Sequence, residues 1–138
     1  MNVNLLVDSS IWIRTQLPRS AGPFLNYLDQ ARRRDQIVTT GMIRLEVLVG
    51  MPTWEDLASL VDDFDSLPEV APGRDTWTEA GRIGMRLHKR GIHLGSADLL
   101  IAAIALEHGL TLVHADRDFE LLARHERIKA VSLVHLVR

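Results

Sequence analysis

Residues 96–119 read SADLLIAAIALEHGLTLVHADRDF, and this stretch decides the fold. Its first half, at 97–108, is almost entirely apolar, which predicts a helix that is buried on all sides. Gly109 ends that helix, and the short apolar run at 110–113 predicts a strand that stops before Asp116. A buried helix followed at once by a short buried strand is typical of proteins in which helices cover a mostly parallel sheet.

The rest of the chain repeats this alternation of short strands and helices. Apolar runs predict further strands at 3–7, 37–40, 70–71 and 131–134. Helical periodicity predicts a short helix capped by Ser9 or Ser10 and longer ones at 24–34, 42–49, 53–67, 74–90 and 119–124. We therefore expect an α/β fold, a three-layer α/β/α sandwich with a mostly parallel central sheet, in a single domain over residues 1–138.

The composition excludes several classes of protein. The chain has 138 residues, of which 46% are hydrophobic, and a formal net charge of −2, which argues against non-specific binding of nucleic acid over the whole surface. It has no cysteine, so a disulfide scaffold, a thiolate zinc site and a cysteine nucleophile are excluded. No apolar run is long enough to span a bilayer, and the N-terminus lacks the basic segment of a signal peptide. The sequence therefore predicts a soluble, cytoplasmic domain with no membrane partner.

Two acids follow predicted strands. Asp8 comes directly after the run at 3–7, and Asp116 comes shortly after the run at 110–113. In open parallel sheets, ligands bind beyond the carboxyl ends of the strands, so both acids fall at the edge where a site is expected. Either acid alone is also a common turn or cap residue.

Two further acids lie on apolar helix faces. The positions three and four residues to either side of Glu46 are apolar or glycine, and Asp98 leads the apolar helix at 97–108. A buried carboxylate is costly unless it is paired, protonated or bound to a metal, so a structural salt bridge remains an alternative for Glu46. At Asp98, the helix dipole is an alternative reason for an acid in the first turn.

Together these four acids predict a metal site made of Asp8, Glu46, Asp98 and Asp116. Carboxylates brought together repel one another, and a divalent cation relieves that repulsion. Hard cations such as Mg²⁺ and Mn²⁺ prefer oxygen ligands. Such a site suits phosphodiester hydrolysis, because the metal lowers the pKa of a bound water and stabilises charge on the phosphate.

Four segments, in order along the chain, resemble the PIN-domain ribonucleases, and most closely the VapC-type toxins of bacterial and archaeal toxin–antitoxin pairs. They are the segment around Asp8, the helical Glu46 with the Leu-Val-Gly that follows at 48–50, the run SADLLIAA at 96–103, and HADRDF at 114–119. The resemblance covers essentially the whole chain, and the block from Asp98 to Phe119 is its most specific part. It implies a metal-dependent endoribonuclease with an RNA substrate, a small VapB-like antitoxin as partner and a homodimer as the functional unit.

The same resemblance implies a role for each site residue. The implied catalytic acids are Asp8, Glu46, Asp98 and Asp116, of which Asp8, Asp98 and Asp116 hold Mg²⁺ or Mn²⁺. Ser9 or Ser10 orients the first acid, and Asp118 is either a fifth acid or a support for the ligands. The family often has Thr or Ser where this chain has His114. His114 therefore either replaces the hydrogen bond of that hydroxyl or brings a pH-dependent charge near the metal.

A basic stripe lies on the predicted helix at 74–90, opposite an apolar face that includes Trp77 and Leu87. It consists of Arg82, Arg86, Lys89 and Arg90. A solvated helix face is one interpretation of this pattern, and contact with RNA phosphates is the functional one.

Two other functions stay open at this point. One is a non-catalytic RNA-binding regulatory domain of PIN type, against which the four intact acids argue. The other is a metal-dependent phosphohydrolase that acts on small molecules.

Overall fold

Four short strands form a parallel sheet at the centre of the fold. The computed structural model describes residues 4–19 and 21–137. The strands are β1 (Leu5–Val7), β2 (Ile37–Val38), β3 (Thr111–His114) and β4 (Lys129–Ser132), arranged in the order β2-β1-β3-β4 with every neighbouring pair parallel. All four carboxyl ends therefore meet at one edge, which is the edge where ligands bind in open parallel sheets.

Seven α-helices in the described part of the chain connect the strands. They are α1 (Ser9–Thr15), α2 (Ala21–Arg33), α3 (Gly41–Val49), α4 (Trp54–Asp65), α5 (Arg74–His88), α6 (Ser96–Glu107) and α7 (Arg117–His125), and a 3-10 turn follows β4 at Val134–Leu136. Every residue of β1 is buried. Because successive strand residues point to opposite faces, both faces of the sheet are covered. The predicted α/β fold with a mostly parallel central sheet is confirmed.

The packing of α6 against α5 brings one of the predicted site helices close to the core. Residues 100–105 of α6 are all buried, as the apolar sequence predicts. On α5, Gly84 faces α6 so closely that a Cβ added there would lie 2.8 Å from Cδ1 of Leu99. None of the helices among the described residues, α6 included, is long and apolar enough to cross a membrane.

The predicted strand at 70–71 is wrong. The structure has only an isolated parallel bridge there, in which the Thr39 N–H donates to the Pro68 carbonyl and the Val70 N–H donates to the Thr39 carbonyl, each at 2.9 Å. The pairing goes no further along the chain, since Pro72 has no N–H to offer a neighbouring strand.

Trp77 also departs from expectation. The helical period of the sequence places Trp77 on the apolar face of the helix at 74–90, but in the structure Trp77 is 58% exposed. Thr76 is buried in its place, and its hydroxyl donates a hydrogen bond to a carboxylate oxygen of Glu107 on α6. A polar side chain with a partner across the helix pair therefore occupies the position that the sequence pattern gave to the larger apolar one.

Replacing Gly84 by alanine should destabilise the protein relative to the matched change Gly81→Ala. Both glycines lie within α5, so both variants gain the roughly 1 kcal/mol by which alanine stabilises a helix interior relative to glycine. A Cβ at Gly81 would meet nothing within 4 Å, whereas at Gly84 it would press on Leu99. We expect Gly81→Ala to be the more stable variant by about 0.5–1.5 kcal/mol in urea unfolding, because the terminal methyl of the half-buried Leu99 must leave its preferred rotamer to make room. Equal stabilisation by the two changes would mean that α6 yields freely at Leu99.

Candidate metal centre

The ends of β1 and β3 are tied together at the carboxyl edge of the sheet. The Asp8 N–H donates to the Val113 carbonyl at 2.9 Å, so the two strand ends lie side by side. Asp8 is the N-cap residue of α1, and Asp116 is the N-cap residue of α7. The two strand-end acids therefore each make a strand-to-helix turn at the same edge, as their places in the sequence predict.

Ser10 holds one oxygen of Asp8 in place. Oδ2 of Asp8 accepts hydrogen bonds from the Ser10 N–H at 3.0 Å and from the Ser10 hydroxyl at 2.6 Å. The same hydroxyl accepts a hydrogen bond from the Ala115 N–H at 3.0 Å. Ser10 therefore links the end of β1 to the end of β3 and fixes the orientation of Asp8. The residue that caps α1 is Asp8 itself, and not a serine as the sequence suggested.

The other oxygen of Asp8 lacks a partner. Asp8 is 2% exposed, and its Oδ1 is buried with no hydrogen-bond partner among the described residues. Burial raises the pKa of this carboxyl, and the hydrogen bonds from Ser10 oppose that rise. A buried carboxylate oxygen with no donor loses its hydration without compensation, and a bound cation supplies that compensation.

Glu46 reaches the same edge from α3. It is half-buried, and its Oε1 accepts a hydrogen bond from the Ser9 hydroxyl at 3.3 Å. Burial raises the pKa of Glu46, and so does the neighbouring charge of Asp8. No ion pair among the described residues supports the salt-bridge alternative for Glu46. The ion pairs formed among the described residues include none of the four predicted acids, which are Asp8, Glu46, Asp98 and Asp116.

Asp98 lies where the acidic charges meet. Burial raises its pKa to about 7, with further contributions, largest first, from the charges of Asp116, Asp8, Glu46 and Asp118. One carboxylate oxygen from each of Asp98, Asp116 and Asp118 can be chosen so that all three lie within 4.8 Å of one another. That spacing suits oxygens that share one cation, since Mg²⁺ or Ca²⁺ is bound at about 2.0–2.6 Å from each.

Asp118 is therefore a direct member of the carboxylate group, which is the first of the two roles that the sequence left open for it. There it was either a fifth acid or a support for the ligands, whereas in the structure its carboxylate joins the group formed by Asp98 and Asp116. Asp8, which the sequence analysis grouped with Asp98 and Asp116, does not belong to that three-residue group. The signal for Asp118 was its place two residues after Asp116, in the first turn of a helix whose N-terminus points back to the sheet edge.

His114 takes the place of a hydrogen-bonding hydroxyl. Its ring is buried, and its Nδ1 accepts a hydrogen bond from the Asp116 N–H at 3.2 Å. Nδ1 therefore carries no proton, and the ring packs beside Phe119 with the centroids 5.5 Å apart. Burial lowers the pKa of His114, so the ring is neutral at neutral pH. Of the two roles expected for this histidine, the hydrogen bond is the one that the geometry favours.

Two polar groups at this edge escaped the sequence analysis. The hydroxyls of Thr39 and Thr40 are buried without a hydrogen-bond partner among the described residues. Both follow β2, which lies next to β1, and Thr40 is the N-cap residue of α3 without a side-chain capping bond. The only signal in the sequence was two threonines at the end of an apolar run.

The basic stripe on α5 is already partly paired with acids. Arg82 forms an ion pair with Glu79 at 3.2 Å, and Arg86 pairs with both Glu79 and Glu126, the latter at 2.7 Å. Arg82 and Arg86 also line a cavity of about 880 Å³ between α5, α6 and α7, together with these acids. Lys89 and Arg90 are exposed beyond the end of α5. Contact between this stripe and RNA stays a prediction.

The chain matches one protein family over most of its length. The sequence model of the PIN domain matches residues 5–125. Ribonuclease VapC18 of Mycobacterium tuberculosis is 33% identical over 121 residues, which cover 85% of this chain and 85% of that protein.

Solved structures share the fold at lower sequence identity. The structure of VapBC2 from Rickettsia felis, bound to a DNA fragment from their promoter, matches with a TM-score of 0.78 at 19% identity, over 94% of this chain and 98% of that chain. VapBC-5 from Mycobacterium tuberculosis, a member of the VapBC family of toxin–antitoxin systems, matches with a TM-score of 0.66 at 19% identity, over 96% of this chain and 100% of that chain.

The raised pKa of Asp98 predicts how the metal-free protein responds to pH. An unfolded aspartate has a pKa near 3.9 and Asp98 in the fold has one of about 7. Between these values the folded state binds more protons than the unfolded state, so the free energy of unfolding should fall as the pH rises from about 4 to about 7. In EDTA, Asp98→Asn should flatten this dependence and melt above the wild type at pH 8.

The matched control for these melts is Asp62→Asn, because Asp62 is exposed on α4. Its melting temperature should follow the pH dependence of the wild type. A profile for Asp98→Asn as steep as that of the wild type would contradict the assignment of the raised pKa to Asp98.

Proposed function

The chain belongs to the PIN-domain family, and we propose that it is a VapC-type endoribonuclease, the toxin of a toxin–antitoxin pair. The observation that carries this proposal is the gathering of acids at one sheet edge with no cation paired to them among the described residues. Relatives at least 30% identical over most of the chain are named ribonucleases, which supports phosphodiester hydrolysis.

A divalent cation fits the residues present. The orphaned Oδ1 of Asp8 and the close oxygens of Asp98, Asp116 and Asp118 form a donor set made only of oxygen, which suits Mg²⁺ or Mn²⁺ better than softer metals. When bound, the ion supplies a water of lowered pKa and stabilises negative charge on the phosphate. We infer that Asp98, Asp116 and Asp118 hold the ion, with Asp8 as a further ligand through its free oxygen.

The other residues of the site keep the acids in position. Ser10 fixes Asp8 by two hydrogen bonds, and His114 fixes the backbone at Asp116 by one. Glu46, whose pKa is raised, is suited to accept a proton from the attacking water. In this arrangement the carboxylate of Glu46 is the general base, and the Ser9 hydroxyl sets its orientation.

Exposed apolar side chains provide surfaces for the partners expected of such a toxin. One group lies on or beside α1 and α2, and another on or beside α3 and α4. The first comprises Ile13, Leu17 and Leu25, and the second Leu45, Val49 and Trp54. Exposed apolar side chains that form a continuous patch are typical of protein–protein contact sites. We propose that a VapB-like antitoxin and a second copy of the chain use these surfaces, and that the protein acts on RNA in the cytoplasm.

Asp8→Asn and Asp98→Asn should each abolish RNA cleavage while the fold survives. Each change removes an anionic oxygen from the proposed metal centre, and the loss of a ligand or its support typically costs at least 10–100-fold in metal affinity or activity. Cleavage of a total RNA pool by purified protein, with mapping of the new RNA ends, measures the effect. EDTA should silence the wild type, and Mg²⁺ or Mn²⁺ should restore it.

The same assay uses Asp62→Asn as a control of equal charge change at an exposed position on α4, and it should cleave like the wild type. Hydrolysis of a phosphomonoester in parallel separates a ribonuclease from a phosphohydrolase that acts on small molecules. Undiminished RNA cleavage in EDTA, with metal shown to be absent, would end the metal mechanism.

Expression of the wild type alone should arrest bacterial growth, and expression of Asp98→Asn should not. The proposed reason is RNA cleavage, so both proteins must first be shown to accumulate in folded form. Co-expression of the cognate antitoxin should restore growth. Normal growth with the active wild-type protein present would count against the toxin role and leave the ribonuclease activity standing.

A further inference from the structure

A cleft adjoins the acidic cluster on the side of α1. It has a volume of about 430 Å³, and its walls include Ser10, Arg14, Asp116, Arg117, Val134 and Val137. Asp116 also belongs to the group of carboxylates that can share a cation. A molecule that fills this cleft therefore extends directly from the candidate metal centre.

Two arginines in this cleft are not paired with acids. Arg14 is half-buried on α1, and Arg117 is exposed in the first turn of α7. Neither takes part in the ion pairs or the side-chain hydrogen bonds found among the described residues. This contrasts with Arg82 and Arg86 on α5, whose charges are neutralised by glutamates. The cleft thus offers two guanidinium groups to an anion beside a cluster of carboxylates.

The Ser10 hydroxyl and the Asp116 N–H of the cleft already have hydrogen-bond partners. The Ser10 hydroxyl donates to Asp8 and accepts from the Ala115 N–H, and the Asp116 N–H donates to His114. Among the side chains of the described cleft walls, the two arginines are consequently the donors left for a ligand. Guanidinium groups bind phosphate oxygens through paired hydrogen bonds, so a phosphate group is the anion that suits them.

Part of the cleft lining is apolar. Val134 and Val137, in and after the 3-10 turn that follows β4, are both half-buried. Apolar surface and two cations in one cleft match the two parts of a nucleotide, since the ribose and base pack on apolar surface while the phosphate meets the guanidinium groups.

We propose that this cleft binds the nucleotide next to the scissile phosphate of the RNA. Arg14 and Arg117 hold its phosphate group, and Val134 and Val137 contact its sugar or base. The proposal rests on the proposed function, and it gives the cleft the task of placing the scissile phosphate at the carboxylates. Arg14 and Arg117 are therefore positioning residues that contribute to RNA affinity.

The first test measures RNA binding apart from cleavage. The probe is a fluorescent RNA oligonucleotide that spans a mapped cleavage site, titrated in EDTA with the wild type, Arg14→Gln, Arg117→Gln and the control Arg124→Gln. Arg124 is exposed on α7 and lies outside the cleft walls. Each cleft variant should raise Kd about tenfold and lower the slope of log Kd against log salt by about 0.7. The control should change Kd less than about twofold.

The second test asks whether the arginines act on one particular phosphate. Methylphosphonate, which is uncharged, replaces one phosphate at a time along the same oligonucleotide. In the wild type, one replacement next to the cleavage site should weaken binding most. In Arg14→Gln and in Arg117→Gln the same replacement should weaken binding less than in the wild type, because one of the two ionic partners is gone, and this non-additivity measures the contact.

The two tests separate the failure of this proposal from the failure of the proposed function. One outcome is that the wild type cleaves RNA while the cleft variants match Arg124→Gln in Kd and in their response to each methylphosphonate replacement. In that case the cleft is not the subsite, and the ribonuclease assignment stands. Equal and additive losses at every phosphate would likewise overturn the subsite, because they would show a diffuse charge effect. If the wild type cleaves no RNA with Mg²⁺ or Mn²⁺, the proposed function fails first.

Discussion

Carboxylates gathered at one edge of a parallel sheet repel one another, and much of the remaining structure accommodates that repulsion. Asp8, Glu46 and Asp98 all have raised pKa values, and in each case burial is the largest cause. Burial and mutual charge both disfavour the ionised form, so the fold holds these groups against their electrostatic preference. A cation reverses the sign of this interaction, since the same crowding then becomes a binding site. The acidic edge is thus an unfavourable feature of the empty protein and a favourable one of the loaded protein.

A small set of hydrogen bonds keeps the edge rigid despite this repulsion. Ser10 joins the segment after β1 to the segment after β3, and the Asp8 N–H donates to the Val113 carbonyl across the same boundary. His114 adds a fourth bond, which its Nδ1 accepts from the Asp116 N–H, and burial lowers the pKa of this ring. The groups that donate these bonds are backbone N–H groups and a hydroxyl, so none of them brings a positive charge to the acids. The ion pairs among the described residues leave these acids out as well.

The acidic centre was largely readable from the sequence because each acid broke a local pattern. Asp8 and Asp116 end apolar runs, and Glu46 and Asp98 interrupt apolar helix faces. The sequence pattern alone therefore predicted which acids meet at the sheet edge. Asp118 was less clear, because an acid in the first turn of a helix is ordinary and its distance from Asp98 depends on how two helices are oriented. The strand expected at 70–71 and the burial of Trp77 failed for a similar reason. A two-residue run and a single helix position depend on their neighbours in space, which the local pattern does not contain.

The acids differ in their depth below the surface, and this difference bears on how long an ion would stay. Asp118 is exposed and Asp116 is half-buried, whereas Asp8 is 2% exposed at the end of β1. An ion held between them would keep part of its hydration shell on the Asp118 side, since Mg²⁺ dehydrates reluctantly and usually retains several waters. Entry and departure would then require no opening of the fold. Residence would be short, exchange with the surroundings would be fast, and the loaded fraction of the protein would follow the free concentration of the ion from moment to moment.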